Sequence, residues 1–318
     1  MSENLRKYSL EFYYYHIEND LIYIKNKGIG VMFFYTSLES PLFKNENVCF
    51  ALSDRYGGVS KGVFDGLNLG YGVGDCQQSV DTNHRRVKEA FVKTFGKADS
   101  RVGLGVCAAG ENGMDRDFTK NVPMFYCQQI HSTKSVVVDE NLVSKYGRCD
   151  GRSMCLGEAD AIITHLSNVL IFVMVADCNP ILLYDRKNGV VSVIHAGRKG
   201  VFDGILPFVF KRMSEVYGTM VEDCLMYVGA SIRSCCYEVG DEIHKQAEIL
   251  GFNDVFRGKN LDLIACLKQQ SENLGLNPKH IEISPFCSSC EEGLYSYRRE
   301  HSTGRFGLLV MLADKDGH

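Results

Sequence analysis

The pair Asn188-Gly189 separates two apolar segments, ILLYDRK and VVSVIHA. It is a strong short-range signal for a β-hairpin, so the flanking segments should lie side by side as antiparallel strands. Other short apolar runs, such as residues 48–53 and 169–175, predict further buried strands. Strands outnumber helices, and several are linked by hairpins. The pattern therefore predicts an α+β fold with mixed sheets rather than a regular βαβ array.

Helices are predicted where apolar residues recur on one helical face. In the segment 76–96 this face consists of Val80, Val87, Phe91 and Phe95. Asp81 or Thr82 is the predicted N-cap of this helix. Further helices are predicted over residues 204–218, 242–250 and 261–274.

Residues 1–47 alternate between aromatic and polar side chains. They predict short strands, either as an edge hairpin or as an N-terminal extension packed on the core. Residues 99–121 are polar and contain glycines, which indicates a surface insertion. No internal repeat or low-complexity linker marks a further domain boundary, so residues 48–318 are interpreted as one domain.

Composition narrows the class of protein. The chain has 13 cysteines and a net charge of −4, and its start, MSENLRKYSL, lacks the apolar segment of a signal peptide. The longest apolar run, near residues 169–176, is far shorter than the roughly 18 residues needed to span a bilayer. We therefore expect a cytoplasmic protein with reduced thiols and no membrane partner. Its charge gives no reason to expect nucleic acid as a partner.

Several familiar motifs are incomplete. GLNLGYGVGD is not a dinucleotide fingerprint because Asp75 stands where the third glycine is required. No Walker loop and no G-x-S-x-G elbow occur. Cys287 and Cys290 have C-x-x-C spacing, but Cys235 and Cys236 are adjacent and make a poor second pair for a structural zinc. The CSSC motif is therefore interpreted as two ordinary thiols.

The residues that best indicate chemistry are His131, Cys178 and His195, each at a predicted strand–loop border. Two imidazoles and one thiolate leave the fourth position of a tetrahedral zinc open, as in catalytic sites. Cys178 could equally be a nucleophile with His195 as its base. An ideal Asn188-Gly189 hairpin places Leu182 opposite His195, so Cys178 would have to fold back to reach it. The residues alone leave both interpretations open.

Cationic side chains cluster in three loops and predict an anionic substrate or cosubstrate. The clusters are Arg55 in SDRYGGVS, Arg198-Lys199 in HAGRKG and Arg298-Arg299 in SYRREHSTGR. Asp177 stands beside Cys178 at the end of a buried strand. It is expected either to orient a ligand of the metal or to form an Asx turn.

The chain resembles the YfiH-like family, also described as laccase-domain or polyphenol oxidase-like proteins. The motifs SDRYGGVSKGVFDGLNLG, QQIHS, EADAIIT, VADCNPILLYD, VIHAGRKG, CCYEVG and SYRREHSTGR occur in the family's order, over roughly residues 48–312. The resemblance implies a single α/β/β/α layered domain, distantly similar to bacterial toxin deamidase domains. It also implies one zinc per chain, held by His131, Cys178 and His195.

The resemblance further implies purine nucleoside phosphorolysis, with adenosine deamination as a side activity. The substrates would be phosphate and adenosine or inosine, with methylthioadenosine as a further candidate. The family's functional arginine, asparagine and arginine map onto Arg55, Asn68 and Arg298. The sequence departs from the family's H-A-G-W-R-G, because Arg198 replaces the tryptophan and Lys199 the arginine. Arg55, Arg298 and Lys199, with Arg198 on the same rim, are the candidates for binding phosphate.

Three other functions stay open. A cysteine hydrolase or amidase would use Cys178 and His195, for example in editing peptidoglycan precursors. A copper polyphenol oxidase would need several coppers, and one His₂Cys site does not supply them. A non-enzymatic module with a structural zinc would need a closed four-ligand site, with Cys127 or another nearby thiol as the fourth ligand. The oligomeric state is not predicted.

Overall fold

The computed structural model describes residues 12–15, 23–26, 31, 33–98, 122–146 and 152–313. The strands are β1 (Phe12–Tyr15), β2 (Tyr23–Asn26), β3 (Phe33–Thr36), β4 (Val48–Ser53), β5 (Met124–Gln128), β6 (Ser135–Val138), β7 (Ser153–Glu158), β8 (Ala161–Thr164), β9 (Leu170–Val175), β10 (Asn179–Asp185), β11 (Val190–Ala196), β12 (Cys224–Val228), β13 (Phe256–Arg257), β14 (Asn260–Leu261), β15 (Ile281–Ile283) and β16 (Phe306–Leu312). The helices are α1 (Gln77–Ala98), α2 (Glu140–Tyr146), α3 (Arg198–Phe202), α4 (Ile205–Tyr217), α5 (Asp241–Ile249), α6 (Leu263–Leu274) and α7 (Tyr297–Glu300).

Two mixed six-stranded sheets form the body of the fold. The first sheet has the strand order β3-β4-β16-β9-β5-β7, and the second has the order β15-β12-β10-β11-β8-β6. Both contain parallel and antiparallel pairs: β5 runs parallel to β9, and β12 runs parallel to β15, whereas β10 and β11 are antiparallel. The α+β class with mixed sheets is thereby confirmed.

Strand β16 shows why the sheets are covered on both faces. Its seven residues, FGLLVML, are all buried, because both faces of the strand are apolar. The side chains that join the core between the two sheets are Phe306, Leu308, Val310 and Leu312. Leu309 and Met311 instead join the cluster that includes Phe91 and Phe95 of α1. Helices α4 and α6 cover the other face of the second sheet through Val209, Met213 and Leu267. The layers are therefore α/β/β/α, as predicted.

The predicted N-cap of α1 is wrong. The helix begins at Gln77, one turn before Asp81 and Thr82. Neither side chain is free to cap: the hydroxyl of Thr82 donates to the carbonyl of Gln78, and the carboxylate of Asp81 accepts from the hydroxyl of Tyr71. The predicted insertion over 99–121 lies outside the described residues.

The predicted hairpin exists, but its register differs by two residues. Pro180, rather than Leu182, lies opposite His195, and Asp185 pairs with Val190. The loop is longer than two residues because the carboxylate of Asp185 accepts the backbone N–H groups of residues 187 and 188. A shift of two residues leaves every side chain on its predicted face. It brings Cys178 closer to His195 along the strands.

Within the predicted N-terminal extension, β3 pairs with β4 and forms the edge of the first sheet. Strands β1 and β2 pair as a separate antiparallel two-stranded sheet. No helix in the described part of the chain is long and apolar enough to cross a membrane.

Candidate metal centre

His131, Cys178 and His195 come from three places where the chain reaches the same end of the two sheets. His131 lies on the loop from β5 of the first sheet to β6 of the second. Cys178 lies on the short link by which the chain passes from β9 to β10, again between the two sheets. His195 is the penultimate residue of β11 and, by alternation, shares the inward face of Val191 and Val193.

The three side chains converge. Their donor atoms all lie within 4.8 Å of one another. The Sγ of Cys178 is 3.7 Å from Nε2 of His131, and the two imidazole rings are 4.7 Å apart at 73°. Tetrahedral zinc with ordinary Zn–S and Zn–N bonds separates its sulfur and nitrogen ligands by about 3.5 Å. The donor set and its spacing therefore fit a single metal ion, with three protein ligands.

Asp160 orients both histidines. Its Oδ1 accepts from Nδ1 of His195 at 2.8 Å, which leaves Nε2 of that ring free as a ligand. The same carboxylate accepts the backbone N–H groups of His131 at 2.9 Å and of Ser132 at 2.6 Å. Burial opposes ionisation of Asp160, but the hydrogen bonds from His195 and Ser132 outweigh it and lower the pKa to about 2. A charged carboxylate thus fixes the ligand loop and the ligand strand together.

Asp177 was expected either to orient a ligand of the metal or to form an Asx turn, and its side chain bonds to two neighbouring loops. Oδ1 of Asp177 accepts from the hydroxyl of Ser288, and Oδ2 accepts from the backbone N–H of Arg298, both at 2.7 Å. Its own carbonyl accepts the N–H of Ile232. Asp177 therefore holds two loops against the link that carries Cys178. Its positive φ of 100° is the backbone strain that this connection requires.

Cys178 and His195 shift each other's pKa. Burial opposes ionisation of the Cys178 thiol, but the charges and hydrogen bonds of His195 and His131 lower its pKa to about 6. Burial likewise disfavours the charged form of His195, but the Cys178 thiolate and Asp160 raise its pKa to about 9. A thiolate at neutral pH is the form of cysteine that binds metals.

A cavity of about 960 Å³ opens onto the triad. It is lined by all three candidate ligands, by the tyrosines Tyr71, Tyr126, Tyr237 and Tyr297, and by Arg198, Arg298 and Arg305. Of these arginines, Arg305 was not among the predicted site residues, although it ends the quoted SYRREHSTGR motif.

Cys127 also lines the cavity, but it is not part of the triad. Burial raises the pKa of the Cys127 thiol to about 12, which disfavours it as a fourth ligand.

Three candidate site residues lie outside the cavity lining. Arg55 donates to Oε1 of Glu300 at 2.7 Å and stacks on the ring of Tyr295. Asn68 is buried, and its side chain holds the backbone N–H groups of residues 70 and 305. The ammonium of Lys199 donates to Asp203 at 2.6 Å. Arg55 and Asn68 thus bond to the surrounding loops, and of the Arg198-Lys199 pair it is Arg198 that lines the cavity.

CSSC was interpreted as two ordinary thiols because it lacked a second pair, and the structure brings a second pair beside it. Cys287 and Cys290 meet Cys235 and Cys236, and all four sulfurs lie within 4.8 Å of one another. Because Cys235 and Cys236 are adjacent in sequence, they made a poor second pair for a metal site. The parallel pairing of β12 with β15 nevertheless brings the two cysteine-bearing segments side by side. Four thiols at this spacing are compatible with metal binding.

The protein therefore belongs to the α/β/β/α class. A His₂Cys site that is compatible with a metal ion lies at the common end of its two mixed sheets. A family model described as "Multi-copper polyphenol oxidoreductase laccase" matches residues 49–98 and 112–313. The chain belongs to this family.

Relatives and solved structures agree with this assignment. The chain is 30% identical over 273 residues to a purine nucleoside phosphorylase of Corynebacterium glutamicum, covering 85% of this chain and 96% of the relative. It is 29% identical over 269 residues to one of Streptomyces coelicolor, covering 83% and 95%. The crystal structure of the hypothetical protein YfiH of Bacillus licheniformis superposes with a TM-score of 0.69 at 24% identity, covering 87% and 98%. YlmD of Geobacillus stearothermophilus superposes with a TM-score of 0.70 at 24% identity, covering 86% and 94%.

Gly197 provides a test of the site's geometry. A Cβ at this position would lie 2.8 Å from Sγ of Cys178 and 2.8 Å from Cδ2 of His131, although the backbone φ of −73° suits alanine. We expect Gly197→Ala to push the ligands apart and raise the dissociation constant for the metal about tenfold or more. Gly72→Ala is the control, because a Cβ there meets nothing within 4 Å. Equal metal affinity in both variants, measured by competition with a chelator, would contradict this geometry.

Proposed function

We propose that this protein is a zinc-dependent purine nucleoside phosphorylase, with adenosine deamination as a side activity. The observation that carries the proposal is the His131–Cys178–His195 triad at the wall of a cavity lined by arginines and tyrosines. Homology to purine nucleoside phosphorylases over most of the chain supports it. The proposed substrates are phosphate and adenosine or inosine, with methylthioadenosine as a further candidate.

The arginines of the cavity suit the binding of phosphate. Arg298 is held by the bond from its guanidinium to the carbonyl of Glu238 and by its backbone bond to Asp177. Arg305 is held by bonds to its neighbouring carbonyls, and Arg198 lies at the start of α3. Planar guanidinium groups bind phosphate oxygens in pairs, and here they are pre-positioned.

The tyrosine rings suit a purine and its sugar, because aromatic faces stack on bases whatever their substituents. Tyr126 and Tyr71 already stack on each other with ring centroids 5.5 Å apart, and Tyr237 packs under the guanidinium of Arg298. In phosphorolysis a phosphate oxygen forms a bond to C1′ of the ribose while the C1′–N9 bond breaks. The bonding electron pair leaves with the purine.

Zinc would be held by His131, Cys178 and His195, and when bound it would supply a Lewis acid that stabilises developing negative charge or activates water. The chain's own residues do the positioning. Asp160 keeps the proton on Nδ1 of His195, the arginines hold phosphate, and the buried core between the sheets excludes bulk water from one side of the ligands.

The metal-ligating residues support a copper oxidase less well than a zinc phosphorylase. Among the described residues, the groups able to hold a metal are one His₂Cys set and one set of four cysteines. Copper oxidases that reduce oxygen by four electrons need several coppers close together. The described residues offer a single mixed site on the cavity instead.

A second function is favoured by one specific observation: Cys178, His195 and Asp160 form a chain of thiol, imidazole and carboxylate. The same order serves as nucleophile, base and orienting group in cysteine hydrolases and amidases. Substitution of His131 distinguishes the two functions. A metal site needs the imidazole of His131 as a ligand, whereas a Cys178–His195 nucleophile and base can act without it.

The first test is His131→Ala, assayed by chromatography with adenosine or inosine, with and without phosphate. We expect phosphate-dependent release of the free base to fall by at least about a hundredfold, since even residues behind the ligands contribute ten- to hundredfold. The control is His165→Ala, which removes a histidine that contacts Tyr217 and Glu140 instead. Wild-type turnover in His131→Ala, with turnover lost in Cys178→Ala, would instead favour Cys178 as a nucleophile with His195 as its base.

The second test concerns phosphate. Removing one guanidinium from an anion costs about 1.5–3 kcal/mol, so Arg198→Gln should raise the KM for phosphate by about tenfold to a hundredfold. The KM for the nucleoside should change less. Arg212→Gln on α4 is the matched control, because Arg212 is exposed and pairs with Glu215. An unchanged KM for phosphate in Arg198→Gln would remove Arg198 from the proposed phosphate site.

A further inference from the structure

The cluster of Cys235, Cys236, Cys287 and Cys290, here called the four-cysteine cluster, lies outside the candidate active site. Cys235 and Cys236 lie on the loop after β12, and Cys287 and Cys290 lie on the loop after β15. None of the four lines the cavity. We propose that the cluster binds a second, structural zinc ion, which fastens these two loops together behind the cavity.

The sulfur–sulfur distances carry the proposal. Sγ of Cys290 lies 3.8 Å from Sγ of Cys235 and 3.4 Å from Sγ of Cys236. Every pair in the cluster is within 4.8 Å. Four thiolates around a zinc ion, with Zn–S bonds of about 2.3 Å, are separated by about 3.8 Å along the edges of the tetrahedron. A disulfide would bring two of the sulfurs to about 2.05 Å and leave the other two without a role.

The backbone around the cluster is organised for ligation. The N–H of Arg233 donates to Sγ of Cys287 at 3.4 Å. After Cys287 the chain turns tightly, with the N–H groups of Cys290 and Glu291 both donating to the carbonyl of Cys287. The C-x-x-C turn thereby presents two sulfurs from one short segment. Cys235 and Cys236 approach from a turn closed by the bond from the N–H of Cys236 to the carbonyl of Arg233.

The donor set points to zinc in a structural role. Tetrahedral sulfur ligation selects zinc or an iron–sulfur centre, and four protein thiolates leave no position open for substrate. The four-cysteine cluster therefore differs in kind from the triad on the cavity, which offers three ligands. It supplies the second pair of cysteines that CSSC lacked in the sequence.

The position of the cluster indicates what the zinc would do. Ser288, next to Cys287, donates its hydroxyl to Asp177, and Ile232, three residues before Cys235, donates its N–H to the carbonyl of Asp177. Asp177 adjoins Cys178. Arg299 also donates to the carbonyls of residues 288, 289 and 291. Fastening the two loops would hold Asp177, and through it both the Cys178 link and the backbone of Arg298.

Elemental analysis of full-length protein, purified with zinc and desalted, tests the proposal. We expect about two zinc ions per chain in the wild type. Cys235→Ser and Cys290→Ser change exposed residues, and each should lose about one zinc. Cys76→Ser, also exposed but outside the cluster, should lose none. Cys178→Ser reports the other site: wild-type zinc content in this variant, with loss in Cys290→Ser, would contradict the proposed catalytic metal while supporting the second site.

Alkylation of the native wild-type protein gives a readout that does not depend on a variant folding. Zinc should protect Cys235 and Cys290 from a thiol reagent until a chelator is added, whereas the exposed Cys76 and Cys155 should react from the start. Peptide mass spectrometry locates the label. Immediate labelling of Cys235 and Cys290, or a disulfide between cluster cysteines in place of zinc, would overturn the proposal. Iron in place of zinc would overturn the choice of metal.

Discussion

The hydrogen bonds of the Asp160 carboxylate are the interaction on which the rest of the site depends. Asp160 is fully buried, and a buried carboxylate is stable only when its oxygens are satisfied. Its partners are the ring of His195 and the backbone of the loop that carries His131. The N–H of His195 also donates to the carbonyl of Asp160 at 2.7 Å. One charged residue therefore sets the positions of two candidate ligands from different elements.

The third candidate ligand depends on the architecture of the two sheets. Cys178 lies where the chain leaves β9 of the first sheet and enters β10 of the second. The apolar core between the sheets fixes both strands, so the link between them has little freedom. Gly197 completes the arrangement, because only a residue without a side chain allows Cys178 and His131 to approach this closely. The cavity then opens at the end of the sheets, where loops supply its arginines and tyrosines.

Much of the architecture could be predicted from the sequence, because apolar periodicity reports burial directly. The main helices, the strands on either side of Cys178 and the α/β/β/α layers follow from that pattern and from the resemblance. Contacts between distant segments could not be read in the same way. Asp160 and Asp177 both border buried strands, and only the fold shows which of them contacts His195. The hairpin register was missed because the carboxylate of Asp185 closes a longer loop. The four-cysteine cluster was missed because its pairs meet only through parallel strands.

The central claim is that one metal ion in the His131–Cys178–His195 triad is required for phosphorolysis. The most direct test is to strip the protein of metal and titrate zinc back, following both bound zinc and phosphate-dependent release of purine base. Cys178→Ser, titrated in parallel, reports the zinc bound outside the triad, so the difference from the wild type reports the triad alone. We predict negligible activity without metal, and activity that rises in proportion to the zinc bound at the triad and saturates at about one such ion per chain. Full activity in the metal-free protein would contradict the claim and direct attention to Cys178 as a nucleophile.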